Sequence, residues 1–168
     1  MVNMPKRAKK FPSTVFKNPV HFLAFGMGSG ISPVAPGTVG TLAALPVFCV
    51  LQYLPLINYL LFVLTAFVLG CYLCGQTSRD LGVHDHGGIV WDEWVGLWIT
   101  FIMAPFTWYW VLAGFVLFRF FDIVKPWPIR WCDRHLEGGF GIMFDDVLAG
   151  IFALLSLQAL IHLSGLWL

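Results

Sequence analysis

Between Leu56 and Cys74 the chain reads LINYLLFVLTAFVLGCYLC, and from Val147 it runs apolar to Leu168. Neither stretch contains an Asp, Glu, Lys or Arg. A helix needs about 20 predominantly apolar residues to cross the roughly 30 Å hydrocarbon core of a bilayer, and both stretches meet that length. Only 11% of the 168 residues are charged and 58% are hydrophobic, whereas a soluble domain carries about a quarter charged residues. The chain reads as an integral membrane protein. Its formal net charge of +1 says little, because the placement of charges carries the information.

Three further apolar stretches fall at Val39–Leu54, Trp94–Pro105 and Trp108–Phe121. The first contains Pro46, where a kink is expected. The other two are short and joined by MAPFTW, so they form either a tilted hairpin or a re-entrant pair. The expected fold is all-α, a polytopic membrane helical bundle of four to five membrane helices with its site on the cytosolic face. Residues 1–18 read as a basic cytosolic tail retained in the protein, and 19–168 as one membrane-embedded domain. Cys71 and Cys74 form CYLC inside an apolar run, where small packing residues are expected rather than a redox or metal pair.

Every Lys and Arg lies before the first stretch (Lys6, Arg7, Lys9, Lys10, Lys17), after the second (Arg79), or at and beyond the end of the fourth (Arg119, Lys125, Arg130, Arg134). The excess of basic residues in cytoplasmic loops places those segments in the cytosol. All nine acids fall on the same side.

Two acid pairs stand against apolar runs. GGIVWDEWVGLWITFIM carries Asp92 and Glu93, and GGFGIMFDDVLAG carries Asp145 and Asp146. An acid beside hydrocarbon is costly unless paired or metal-bound. The preceding glycines predict a sharp turn into each helix, with both pairs in a first turn, where the helix dipole favours anions. Converging, these carboxylates would suit Mg²⁺, a hard cation held by carboxylates together with substrate phosphate. The competing reading is helix capping with salt bridges to Arg119 or Lys125.

Gly28, Ser29, Gly30 and Thr38 belong to GMGSGISPVAPGTVG, which reads either as a nest of N–H groups for phosphate or as a flexible lead-in. Arg119, Asp122 and Lys125 recur at three-residue spacing and share a face if the helix continues that far. There they either serve a phosphoryl group or form an exposed salt bridge. In GVHDHGG, His84 and His86 flank Asp85, either as an acid or base near neutrality or as interfacial polar residues.

Together GSGISPVAPGTVGT, GVHDHGGIVWDEWVGLWIT and FRFFDIVKPWPIRWCDRHLEGGFGIMFDDVLAG resemble the signature blocks of the phosphatidylglycerophosphatase A family, Mg²⁺-dependent lipid phosphatases of the bacterial inner membrane. The likeness runs from about Pro19 to Gly150. It implies hydrolysis of phosphatidylglycerophosphate, a membrane phospholipid partner and no nucleic acid. By position, the resemblance carries the family's acidic motifs onto Asp85, Asp92, Glu93, Asp122, Asp145 and Asp146. It also carries the phosphate loop onto Gly28, Ser29, Gly30 and Thr38, and the basic position onto Lys125. Asp92, Glu93, Asp145 and Asp146 are the expected metal ligands, Asp85, Asp122 and His84 the expected catalytic groups, and Arg119 with Lys125 the expected phosphate contacts.

The alternatives are a divalent-cation transporter, whose acids would lie at mid-membrane depth, or another Mg²⁺-dependent phospholipid-headgroup enzyme. The spaced Asp-Gly, Ala-Arg, Gly, Asp and Asp signature of CDP-alcohol phosphotransferases is absent. Cysteine labels introduced by His84→Cys and His135→Cys should react from the cytosolic side only; reaction from outside would reverse the orientation.

Overall fold

The computed structural model describes residues 12–83 and 86–165. Helices are its only regular elements among those residues. They are α1 (Pro19–Ala24), α2 (Pro36–Leu51), α3 (Leu56–Leu81), α4 (Trp91–Thr100), α5 (Trp108–Val124), α6 (Ile129–His135) and α7 (Gly138–Ser164), with a 3-10 turn at Gly26–Ile31.

The all-helical expectation holds. Two helices, α3 and α7, are long and apolar enough to cross a bilayer, fewer than the four to five expected. The reason is length. The 16 residues of α2 and 17 of α5 give about 24 and 26 Å at 1.5 Å per residue, against roughly 30 Å of hydrocarbon. The 10 residues of α4 give only about 15 Å.

α7 packs against α3, α4, α5 and α6, while α4 is enclosed by α2, α3, α5 and α7. All of α4 except Glu93 is buried. Its Trp91, Trp94 and Trp98 rings lie 5.7 to 6.3 Å apart. The Trp91 indole donates to Ala66 O on α3 at 3.0 Å, and that of Trp98 to Ala44 O on α2 at 3.2 Å.

A helix that stops inside apolar surroundings leaves carbonyls needing donors. Tyr59 Oη on α3 donates to Trp98 O at 2.7 Å, and Gln158 Nε2 on α7 to Ile102 O at 2.8 Å. Non-helical residues then carry the chain on from α4. Phe101 and Phe106 set their rings 4.3 and 5.8 Å from that of Phe48, near the end of α2. The α4–α5 hairpin therefore reaches the α2–α3 end of the bundle although α4 alone does not.

The opposite end gathers the starts of α2, α4 and α7 with the ends of α3 and α5. Asp92 and Glu93 occupy the first turn of α4. Asp145 and Asp146 do not occupy that of α7, because this helix already begins at Gly138. They sit about two turns in, so the dipole argument applies to α4 alone. Gly87 and Gly88 form the expected turn ahead of α4, and Gly138, at φ +70°, turns the chain into α7. Gly139 beyond it admits a neighbour: a Cβ there would collide with Cys71 O on α3. The CYLC pair belongs to the same packed face, with Cys74 Sγ 3.8 Å from Met143 Sδ, and the four cysteines are free thiols.

Where α4 crosses α7, a Cβ on Gly150 would sit 3.1 Å from Gly96 Cα and closer still to its carbonyl oxygen. Gly150→Val should lower stability, since overpacking costs about 1–3 kcal/mol while helix propensity returns less than about 1. A thermal melt in detergent checks this, and an unchanged midpoint would contradict the close crossing.

Candidate active site

Where α4, α5, α6 and α7 meet at the polar end lies a cavity of about 110 Å³, lined by Asp92, Glu93, Asp122, Asp133, Asp145 and Asp146. Among the described residues, Lys125 is the one cationic side chain in its lining. Six carboxylates so close would repel one another strongly at low dielectric, and two cations counter them.

Lys125 caps α5 in the left-handed conformation, φ +45°. Pro126 follows and cannot continue the helix. The turn costs about 1 kcal/mol for a residue with a Cβ, but it swings the ammonium away from the α5 face and between two other helices. Nζ lies 2.5 Å from Asp133 Oδ1 on α6 and 2.5 Å from Asp145 Oδ2 on α7. Burial works against the ammonium, yet Asp145 and Asp133 outweigh it and hold the Lys125 pKa above the usual lysine value. The expected shared face therefore holds for Arg119 and Asp122 and fails for Lys125, which lies just past the helix.

Arg119 Nη1 is 2.6 Å from Asp122 Oδ2 and 3.1 Å from Glu93 Oε1. It also donates to Thr41 Oγ1 at 3.3 Å, and Thr41 Oγ1 lies 3.2 Å from Glu93 Oε2. One guanidinium thus joins α2, α4 and α5.

Asp146 differs from the paired acids. It is 3% exposed and, among the described residues, accepts no hydrogen bond and pairs with no Lys or Arg. Its carboxylate feels repulsion from Asp122, Asp92, Asp145 and Glu93. A buried charge without a partner is costly, so this position favours a cationic ligand. The all-oxygen donor set has the chemistry of a hard divalent cation such as Mg²⁺. As the side chains stand, no three His, Cys, Asp or Glu among the described residues close into a metal-holding group. Lys125 and Arg119 engage Asp133, Asp145, Glu93 and Asp122, so those four carboxylates are committed to cations of the chain. The residues fit the ion in chemistry and charge.

Among the residues singled out from sequence, Asp92, Glu93, Asp122, Lys125, Asp145 and Asp146 come together here, with Arg119 against them. His84 and Asp85 lie outside the described residues. His86 rests 5.5 Å from the Phe25 ring and accepts from Gly88 N at 3.1 Å. Gly28, Ser29, Gly30 and Thr38 do not line the cavity. Ser29 Oγ turns back to donate to Gly26 O at 2.8 Å, and Gly30 lies against Gly88, just ahead of α4. This loop braces the segment that presents Asp92 and Glu93. Two residues were missed. Asp133 reads in sequence as an ordinary solvated charge, and only the αL turn at Lys125 reveals its role. Thr41 follows Thr38 by three residues on α2, a spacing that could have flagged it.

An apolar helical bundle with two helices of membrane-spanning length and an acid-lined cavity at one end is the build of a membrane-associated protein. Residues 22–161 match the family model described as Phosphatidylglycerophosphatase A. Phosphatidylglycerophosphatase A of Escherichia coli K12 is 55% identical over 137 residues, covering 81% of this chain and 80% of its own length. The Haemophilus influenzae protein of that name is 53% identical over 145 residues, covering 85% and 89%. No solved structure matches. The chain belongs to the phosphatidylglycerophosphatase A family.

Arg119→Leu would strand Glu93 and Asp122, each with a side chain 13% exposed, and should destabilise the protein by about 3 kcal/mol or more. Thermal unfolding in detergent measures this; an unchanged midpoint would mean that the two carboxylates do not need the guanidinium.

Proposed function

We propose that this chain hydrolyses the terminal phosphomonoester of phosphatidylglycerophosphate, giving phosphatidylglycerol and inorganic phosphate, at the cytosolic face of a bacterial inner membrane. The observation that carries this reading is the convergence of acids from α4, α5, α6 and α7 on one cavity beside lipid-length helices. Family membership and the names of the two relatives support it.

The placement of charge supports the topology. No Asp, Glu, Lys or Arg occurs in residues 18–78, 94–118 or 147–165. Five crossings follow if α2, α3, α5 and α7 each cross and α4 is completed by residues 101–107, with the N-terminus and cavity cytosolic. No row of acids lines a path through the bundle, which disfavours the cation transporter.

A phosphate monoester cannot approach six carboxylates against two cations without help. Asp92, Glu93, Asp145 and Asp146 would hold Mg²⁺, which when bound supplies positive charge to the phosphoryl oxygens. Lys125 and Arg119 would donate to the same oxygens as negative charge shifts onto them in the transition state. Hydrolysis forms a bond from water oxygen to phosphorus and breaks the bond from phosphorus to the glycerol oxygen. Asp122, with Asp85 and His84, would take a proton from the attacking water and pass one to the glycerol oxygen as it leaves. The apolar flanks of the helices would hold the acyl chains.

The test is phosphate release from phosphatidylglycerophosphate by the purified full-length protein in detergent–lipid micelles. Release should require Mg²⁺, cease with EDTA and return when Mg²⁺ is restored. Asp146→Asn should lower kcat by about a hundredfold or more without lowering the melting temperature, because it removes a buried, mutually repelling charge. Full activity in EDTA would remove the metal from this reading, and undiminished turnover in Asp146→Asn would remove the acid.

A further inference from the structure

Lys125 has two sides. One lines the carboxylate cavity; the other lines a separate groove of about 360 Å³ between the end of α5 and α6. Trp127, Arg130, Trp131, Arg134 and His135 line the rest of its wall with Val124 and Pro126, and no carboxylate among the described residues does. Ile129 and Cys132 are buried and hold α6 to the bundle. Arg130 and Arg134 are four residues apart on a helix and share a face. Arg130 Nη2 donates to Val124 O at 3.0 Å, while Arg134 makes no hydrogen bond or ion pair among the described residues. Trp127 is 81% exposed and Trp131 52%, and Trp131 stacks on His135 with ring centres 4.7 Å apart.

Exposed tryptophans with arginines are the composition of the membrane–water interface, the level at which phospholipid phosphates lie. The neighbouring cavity has the opposite charge. A substrate carrying two phosphates of different charge meets two sites of different sign. The terminal monoester needs a cation to enter among the acids. The internal phosphodiester, singly charged, needs only arginines. A three-carbon glycerol unit joins the two phosphates, and Lys125 joins the two sites.

We propose that the groove formed by Lys125, Arg130, Arg134 and the flanking tryptophans binds the internal phosphodiester of the substrate lipid while its terminal phosphomonoester occupies the carboxylate cavity. This rests on the phosphatase reading of that cavity. Arg130 and Arg134 then select lipids that carry both a diester and a monoester phosphate.

The experiment measures KM and kcat of the full-length protein for phosphatidylglycerophosphate in non-ionic micelles, where the substrate is the only anionic lipid. Arg130→Gln and Arg134→Gln should each raise KM by about tenfold or more, the size expected for a lost hydrogen bond to a charged group, with kcat little changed. Variants equal to wild type in these micelles, with a defect only on adding phosphatidylserine, would assign the groove to bulk anionic lipid and overturn the proposal. A fall in kcat or melting temperature at unchanged KM would make the arginines structural and overturn it equally. Arg130→Gln loses a bond to Val124 O, so if it fails to fold, Arg134→Gln alone decides. Wild-type turnover with unchanged KM in the variants overturns the groove only; no wild-type turnover overturns the cavity reading, and the groove with it.

Discussion

Like charges 4 Å apart cost about 4 kcal/mol each pair at the effective dielectric near a protein surface, and the polar end of this bundle assembles six carboxylates around one small cavity. Everything near it is arranged to bear that repulsion. Arg119 ties α5 to α4 and α2, and Lys125 ties the end of α5 to α6 and α7. Each cation is shared between two acids, so neither pair is neutral. Asp146 is the most buried of these acids and has no donor among the described residues, so its own charge stays uncompensated. Such an arrangement holds its shape only by connecting helices through ions, and it presents a standing demand for more positive charge.

The short helix α4 supplies the frame for that demand. A ten-residue helix buried on all sides would ordinarily leave its ends unsatisfied. Here Trp91 and Trp98 donate sideways to α3 and α2, and Tyr59 and Gln158 donate to carbonyls where the helix gives out. With its far end held in this way, the first turn of α4 presents Asp92 and Glu93 at a set depth.

Much of this was legible in the sequence, and the limits have physical causes. The starts of α3 at Leu56 and α5 at Trp108 coincide with the apolar stretches, because hydrophobicity and helix begin together there. The end of α3 and the first turns of α7 do not. Gly75–Leu81 and Gly138–Asp146 are polar or glycine-rich, so propensity argues against helix, and the close contact of Gly139 with α3 overrides it. The acids of the cavity were identifiable because charge beside hydrocarbon is conspicuous. Asp133 was not, since its sequence neighbours are polar and its partner Lys125 arrives through a backbone turn that no periodicity encodes. The glycine loop was conspicuous as a phosphate nest, and its observed contacts are with the chain itself: Gly30 packs against Gly88, Ser29 bonds back to Gly26, and Gly37 lies against Glu93 and Arg119.

Backbone meets backbone where α3 approaches α7 at Gly139 and where α4 crosses α7 at Gly150. At such crossings there is no side chain to trim or lengthen, so the spacing of the helices cannot drift by small steps. Evolutionary tuning of this scaffold is thereby pushed outward, onto the ionic groups at its rim and the loops that carry them. The bundle behaves as a rigid chassis whose chemistry is adjustable only at one end.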